Sequence, residues 1–324
     1  MEDLYIKMRI QENTNVVWST EKTPDFKQNM HLSGNETEIK DSCAQTGVIY
    51  EKSDGMETNY RTYNADGTVI GISPASATSS NRSIQIALMN LGFYTDKIDG
   101  NITSASMKKA IGNFQTVYGL TKTGTMDQST KSKLDLVDSF RSRAASIVSE
   151  NQGAAVIKDL NPVERKNFAN IWTFLRLEMH IDATHASAVM ANMKAESWFS
   201  SNNLQDENGV ITHHDPDYEY DINDKKGYGI MQWTHWLRKK GLLAEADDMG
   251  LKPGDLNAQL AYFRTEMNTD MYCKSEWAEF KNKKTLTDAT EYFLDRIEMP
   301  RKANERREER NSFANQIYQL MYKL

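Results

Sequence analysis

Apolar residues recur at every second position in parts of the first 72 residues, and at every third or fourth position through most of the chain beyond residue 82. Leu4-Tyr5-Ile6-Lys7-Met8 alternates. Asn59 to Tyr63 faces Thr68 to Ile72 across Asn64-Ala65-Asp66-Gly67, and an Asp-Gly pair between alternating runs predicts a hairpin. The small residues from Ser73 to Ser80 have little to bury and read as a linker. Ile84, Ala87, Leu88 and Leu91 then form a helical stripe stopped by Gly92. A second helix runs through Ala110, Ile111 and Phe114-Gln115, and a third covers Thr130 to Leu134. Asn161 caps a further helix with Pro162 in its first position, and Phe168, Ile171, Trp172 and Leu175 give it a buried face. Asp182 caps the next helix, which ends in Glu196. Helical periodicity then lapses: Asn208-Gly209 predicts a turn, Val210 to Thr212 a short strand, and Tyr218 to Ile222 its alternating partner. Two closing helices carry Phe293 with Ile297, then Phe313, Ile317 and Leu320, with Asp288 and Glu291 spaced as a capping box.

One polar position breaks the apolar pattern. Glu196 shares a helix face with Ala186, Val189, Met190 and Met193, the face a helix normally buries. A carboxyl desolvated there, beside Trp198 and Phe199, is expected to hold its proton towards neutral pH. A proton-bearing carboxyl in an apolar setting is what glycosidic cleavage requires of its general acid. The competing reading is a last-turn glutamate rotated into solvent.

Ala195-Glu196-Ser197-Trp198-Phe199, followed by Gly227-Tyr228-Gly229-Ile230-Met231-Gln232-Trp233-Thr234, resembles the bacteriophage tail-lysozyme family of the lysozyme and lytic transglycosylase superfamily. Leu204-Gln205, the run Leu256, Gln259, Leu260, Phe263 and Met267, Ala289 to Phe293, Glu298-Met299-Pro300 and Arg306 to Tyr318 extend the likeness over residues 155–322. Residues 82–136 resemble a three-helix peptidoglycan-binding repeat, through Ile98-Asp99-Gly100, Ala110-Ile111, Phe114-Gln115 and Gly119-Leu120. Asn101-Ile102-Thr103 replaces the repeat's usual Phe-Gly, and one extra residue precedes the second helix, which leaves a non-binding helical spacer as the alternative.

The resulting expectation is a multidomain, mainly α chain. Residues 1–72 form a small β-rich region, 73–81 a linker, 82–136 a three-helix wall-binding domain and 137–160 a helical connector. Residues 161–324 form an α+β lysozyme-like catalytic domain with a small β-hairpin. A chain of 324 residues accommodates two or three cores. Its formal charge of −6 argues against nucleic acid as a partner. Cys43 and Cys273 are too few and too far apart for a disulfide framework. The start lacks a basic, then apolar, secretory leader, and no stretch reaches the roughly 18 apolar residues of a membrane span. A wall-directed protein with these features fits a phage product held in the virion tail, or in the host cytoplasm until lysis.

The resemblance implies peptidoglycan as substrate, cut at the muramic acid linkage without metal or cofactor, and phage tail proteins as further partners. It implies Glu196 as general acid, Gln232 as a ligand for an N-acetyl group or a water, and Tyr228, Trp198 and Trp233 as flat surfaces for sugar rings, with core packing as their alternative role. A hydrolytic mechanism needs a second carboxylate. Candidates are Asp206, Glu207, Asp215, Asp217, Glu219, Asp221 and Asp224, with Asp215 favoured where the expected hairpin turns over the groove. Without one, the chemistry becomes that of a lytic transglycosylase, in which the muramic C6 hydroxyl replaces water. His180, His185 and His213-His214 lack His-Glu-x-x-His spacing, which weighs against a zinc peptidase. A non-catalytic tail protein that only docks on the wall is the reading of a different class.

Overall fold

The computed structural model describes residues 81–205, 218–269, 273–299 and 306–324 in full, with the backbone alone of Ser79, Ser80, Ile211, Thr212 and the strands before residue 74. Asp206, Glu207, His213, His214, Asp215, Asp217 and Cys43 lie outside the described residues, as does the expected turn at Asn208-Gly209. Before residue 74 the backbone forms β1 (Ile6–Gln11) paired with β2 (Asn15–Thr20), and β3 (Met30–Ser33) paired with β4 (Glu36–Ile39). A three-stranded antiparallel sheet follows in the order β5 (Thr46–Ser53), β6 (Glu57–Asn64), β7 (Val69–Ser73). In it Arg61 stands opposite Ile72.

Helices dominate the rest: α1 (Ser79–Asn90), α2 (Ala105–Val117), α3 (Gln128–Glu150), α4 (Pro162–Leu177), α5 (Ala183–Ser197), α6 (Trp236–Met249), α7 (Leu256–Asn268), α8 (Lys274–Phe280), α9 (Leu286–Phe293) and α10 (Arg307–Met321). A π-helical turn, Leu294–Glu298, continues α9. The expected third helix and connector form one continuous helix, α3, up to Glu150. Two compact units result: Met1–Ile111 with Gly124–Asp135, and Gly112–Thr123 with Leu136–Leu324. Among the described residues no helix is long and apolar enough to cross a membrane.

In the first unit α1 buries Ile84, Ala87 and Leu88, and Gly92 closes it with φ +85°. Gln85 is fully buried on the same helix and fixes the Asp-Gly loop from beneath. Its Nε2 donates to Asp99 Oδ1 at 2.9 Å, and its Oε1 accepts from the Gly100 amide at 2.6 Å. Asn101 Oδ1 accepts from the backbone N–H of Thr103 at 3.1 Å and from its hydroxyl at 2.9 Å, so the departure from the repeat closes on itself as a local turn.

In the second unit α5 is the central element. Ala186, Ala188, Val189, Met190, Ala191 and Met193 are fully buried, and a helix apolar on nearly every side belongs in a core. Alanines let neighbours approach closely, and α9 and α10 pack directly against α5. Asn161 and Glu164 form a reciprocal capping box on α4, and the Asp182 side chain accepts from the His185 amide to start α5, both at the expected positions. At α9 the cap is Thr285, whose Oγ1 accepts from the Asp288 amide at 3.0 Å; Asp288 itself lies in the first turn.

The strand expected at Tyr218 to Ile222 does not form. β8 (Leu204–Gln205) pairs with β9 (Ile211–Thr212) instead, Leu204 opposite Thr212. Tyr218 and Tyr220 are drawn into an aromatic cluster with Tyr228, at ring separations of 5.2 and 5.1 Å. Lys239, fully buried, pairs with Asp224 beneath it and donates to Tyr218 Oη at 3.0 Å. The alternating aromatics therefore serve a side-chain cluster rather than a ladder.

Candidate active site

Glu196 lies in the last turn of α5, and the stripe it shares with Ala186, Val189, Met190 and Met193 is buried as the periodicity requires. Its side chain retains 13% exposure. The surroundings are less apolar than expected. Arg310, on α10 and 1% exposed, donates Nη2 to Glu196 Oε1 and Nη1 to Asn192 Oδ1 at 2.8 Å. Arg310 heads the buried stripe Ala314, Ile317 and Met321, which keeps the expected Ile317 but puts Ala314 and Met321 where Phe313 and Leu320 were expected.

The two motifs meet. Ser197 Oγ lies 3.0 Å from the Met193 carbonyl and 3.1 Å from that of Ile230, so one hydroxyl ties the helix end to the glycine-rich turn. The Gly229 amide donates to Asn203 O at 2.8 Å, and the Ile230 amide donates to Gln259 Oε1 at 2.9 Å. Gly229 has φ +76°, and a Cβ there would stand 2.5 Å from Gln259 Nε2, so both backbone and space demand glycine.

Gln232 does not present a free amide. Its Nε2 donates to Asn203 O at 3.1 Å and Gly229 O at 3.0 Å, while its buried Oε1 has no partner among the described residues. Trp233 is fully buried and gives its indole N–H to Glu266 Oε2 at 3.0 Å, which corrects the expectation of a sugar platform: the ring is core. Tyr228 is 7% exposed and occupied by its aromatic cluster, so it too offers little surface. Lys194 Nζ lies 3.2 Å from the Trp198 ring centroid and occupies one face of that indole; burial lowers this ammonium's pKa to about 8. Trp236, just past the turn, is 49% exposed, with the His235 ring 6.1 Å away, and pattern reading passed over it.

Of the acidic candidates within the described residues, Glu219 and Asp221 are exposed and Asp224 is bound to Lys239 and Tyr218. His185 holds Asp182 at 2.8 Å and packs edge-on against Phe280. Among the described residues no three His, Cys, Asp or Glu side chains gather as a metal site. Glu298, at the end of the π turn, has its Oε1 buried with no partner among the described residues. Burial raises its pKa to about 8 and the Glu196 charge adds to this, while Arg238 and Arg310 oppose it and Glu266 adds to it. Left-handed backbone brackets the site: Trp198 (φ 55°) and Phe199 (φ 65°) follow Glu196 and Ser197, Gln232 has φ 46°, and Met299 (φ 50°) follows Glu298. Such conformations in bulky residues are uncommon and concentrate at functional sites.

Residues 166–321 match the family model described as phage tail lysozyme, and residues 79–134 match that described as putative peptidoglycan binding domain. These two stretches belong to those families. No curated protein and no solved structure matches the chain. The phage tail lysozyme match spans every residue of the site, from the α5 glutamate through the glycine turn to the π turn and Arg310. A helical lysozyme domain and a peptidoglycan-binding domain in one chain make peptidoglycan its partner.

Proposed function

We propose that the chain is a peptidoglycan glycosidase of lysozyme type, cleaving the glycan strand at the muramic acid linkage with Glu196 as general acid. The observation that carries this reading is the hydrogen bonding of Ser197 to Ile230, which brings a largely buried carboxyl beside a strained, glycine-requiring turn. Arg310 fixes the Glu196 carboxyl in one orientation. The exposed Trp236 face supplies a stacking surface for a sugar ring. Asp215 remains a candidate for the second carboxylate. The protein acts from the virion tail, in contact with tail proteins, or from the host cytoplasm at lysis.

Replacing Glu196 by Gln keeps the size and the Arg310 contact while removing the proton. The variant is expected to fold and to lose on the order of 10²–10⁴-fold in rate, read as clearing of a suspension of purified walls. Retention of a third of the wild-type rate overturns the assignment. A wild-type chain that binds walls without clearing them supports the docking protein instead. One observation favours a lytic transglycosylase: Glu219, Asp221 and Asp224 are either exposed or bound up. Mass spectrometry of released fragments decides, since hydrolysis leaves reducing muramic acid and transglycosylation leaves 1,6-anhydro ends.

A further inference from the structure

Lys194 is 2% exposed, and its Nζ has no hydrogen-bond acceptor among the described residues. A buried ammonium without an acceptor is costly unless something else holds its charge. Here two rings do. Nζ stands 3.2 Å from the Trp198 ring centroid and 5.7 Å from that of Phe313, both within reach of a cation–π contact. Methionine would fill the same space with no charge to bury, so packing alone does not account for a lysine. Three carboxylates act on the ammonium from a distance, and none bonds it among the described residues. Glu164 on α4 accepts from the Asn161 amide, Glu309 on α10 pairs with Arg306, and Asp159 lies exposed ahead of α4. On α5 itself, Glu196 is taken by Arg310.

The contact sits at the helix end that carries the acid. Trp198 caps α5 in the left-handed region, with φ 55°, which a bulky residue seldom adopts. Its amide donates to the Lys194 carbonyl at 3.1 Å. Lys194 therefore ties Trp198 twice, to the backbone through its carbonyl and to the ring through its ammonium. Phe313 follows Arg310 by one turn of α10, and Arg310 is the residue that grips Glu196 and Asn192. Within the turn so tied lie Glu196 and Ser197, whose hydroxyl reaches the Ile230 carbonyl.

We propose that Lys194 is a positioning residue for the general acid: its ammonium, held by the Trp198 and Phe313 rings, keeps the last turn of α5 wound against α10 and so fixes Glu196 relative to the Ile230 turn. This rests on the reading of Glu196 as general acid. Without the cation, the left-handed Trp198 loses a contact that offsets its strain. The last turn then frays, and Glu196 spends less time in the orientation that Arg310 gives it. Disorder at an acid that must meet one oxygen lowers turnover more than it lowers binding.

The test is steady-state wall clearing by the full chain over a range of wall concentrations. Lys194→Met keeps the length and loses the charge. It is expected to lower kcat on the order of 10-fold and to change KM far less. Lys194→Arg, whose guanidinium also stacks on an indole, should recover most of the loss. A wild-type kcat in Lys194→Met, or an arginine variant no better than the methionine one, overturns the role. The contact is read separately by Trp198 emission, taken as the difference between chains with and without Trp198→Phe. Burial lowers the ammonium's pKa to about 8, against the three carboxylates, so the emission should step near pH 8 and Lys194→Met should abolish the step. Emission without a Lys194-dependent step overturns the contact. Should Lys194→Met not fold, Phe313→Leu removes one ring and leaves the charge. It should lower kcat and move the step towards acid, since the charged form loses support; a variant unchanged in both overturns the proposal. An active Glu196→Gln would remove the acid itself while the emission step persisted, so the two failures are told apart.

Discussion

Glu196 illustrates what a single position discloses through periodicity. A glutamate on an otherwise apolar stripe signals either an error in the stripe or a use for the carboxyl, and here the stripe is buried throughout. Other polar positions were less visible. Arg310 stands at the head of an Ala314, Ile317, Met321 stripe, a signal present in the sequence but lost when Phe313 and Leu320 are read as the partners of Ile317. Glu298 was hidden for a stronger reason. In a regular α-helix it is set about 100° from Ile297 around the axis, but the π turn that carries it changes the phase, and apolar spacing does not encode that insertion. Gly229 is the residue where the site is most sensitive to a minimal change. Gly229→Ala adds a methyl at φ +76°, 2.5 Å from the Gln259 amide that holds the Ile230 amide, Ser201 and Pro253. The strain alone costs about 1–2 kcal/mol and the clash adds to it. A loss of at least about 2 kcal/mol in denaturant unfolding is expected, with wall clearing reduced further than stability alone explains. A variant as stable and active as wild type would show that the turn is looser than its contacts imply.

At the scale of elements, local chemistry decided where helices start, and tertiary packing decided what the short strands became. Asn161 with Glu164 and Asp182 with His185 cap α4 and α5 where the sequence places them, because side-chain caps act over three residues and need no distant partner. Asn161→Ala removes the side-chain half of that box, the acceptor for the Glu164 amide, and about 1 kcal/mol of stability should go with it. A melting temperature unchanged within error would mean that water satisfies the helix start as well. Tyr218 to Ile222 shows the opposite case. Its alternation fits a strand, yet the buried Lys239 draws the phenols of Tyr218 and Tyr220, through its ammonium and its carbonyl oxygen, into a cluster that competes with ladder pairing. The merging of the third repeat helix with the connector into α3 has a similar origin. Nothing between Thr130 and Glu150 is a breaker, so a composition change alone did not end the helix.

At the scale of the whole molecule, charge separates two ways of holding a wall. The chain carries a formal −6, and peptidoglycan stem peptides bring further carboxylates, so Coulomb attraction at long range does not assemble the complex. We propose that recognition rests on short-range contacts: hydrogen bonds from loops such as the one that Gln85 pins at Asp99 and Gly100, and stacking on faces such as Trp236. Forces of that kind are little screened by salt, in contrast with the steep salt dependence of binding through cation clusters. Full-length protein with Glu196→Gln, which leaves the glycan uncut, should therefore sediment with purified sacculi and stay bound as ionic strength rises from about 0.05 to 0.5 M. Gln85→Ala in the same background frees the Asp-Gly loop and should weaken retention severalfold, with the α5 site untouched. Release by salt would assign the binding to a local basic patch. Retention indifferent to Gln85 would leave residues 79–134 as a spacer and move the whole grip on the wall to the lysozyme groove.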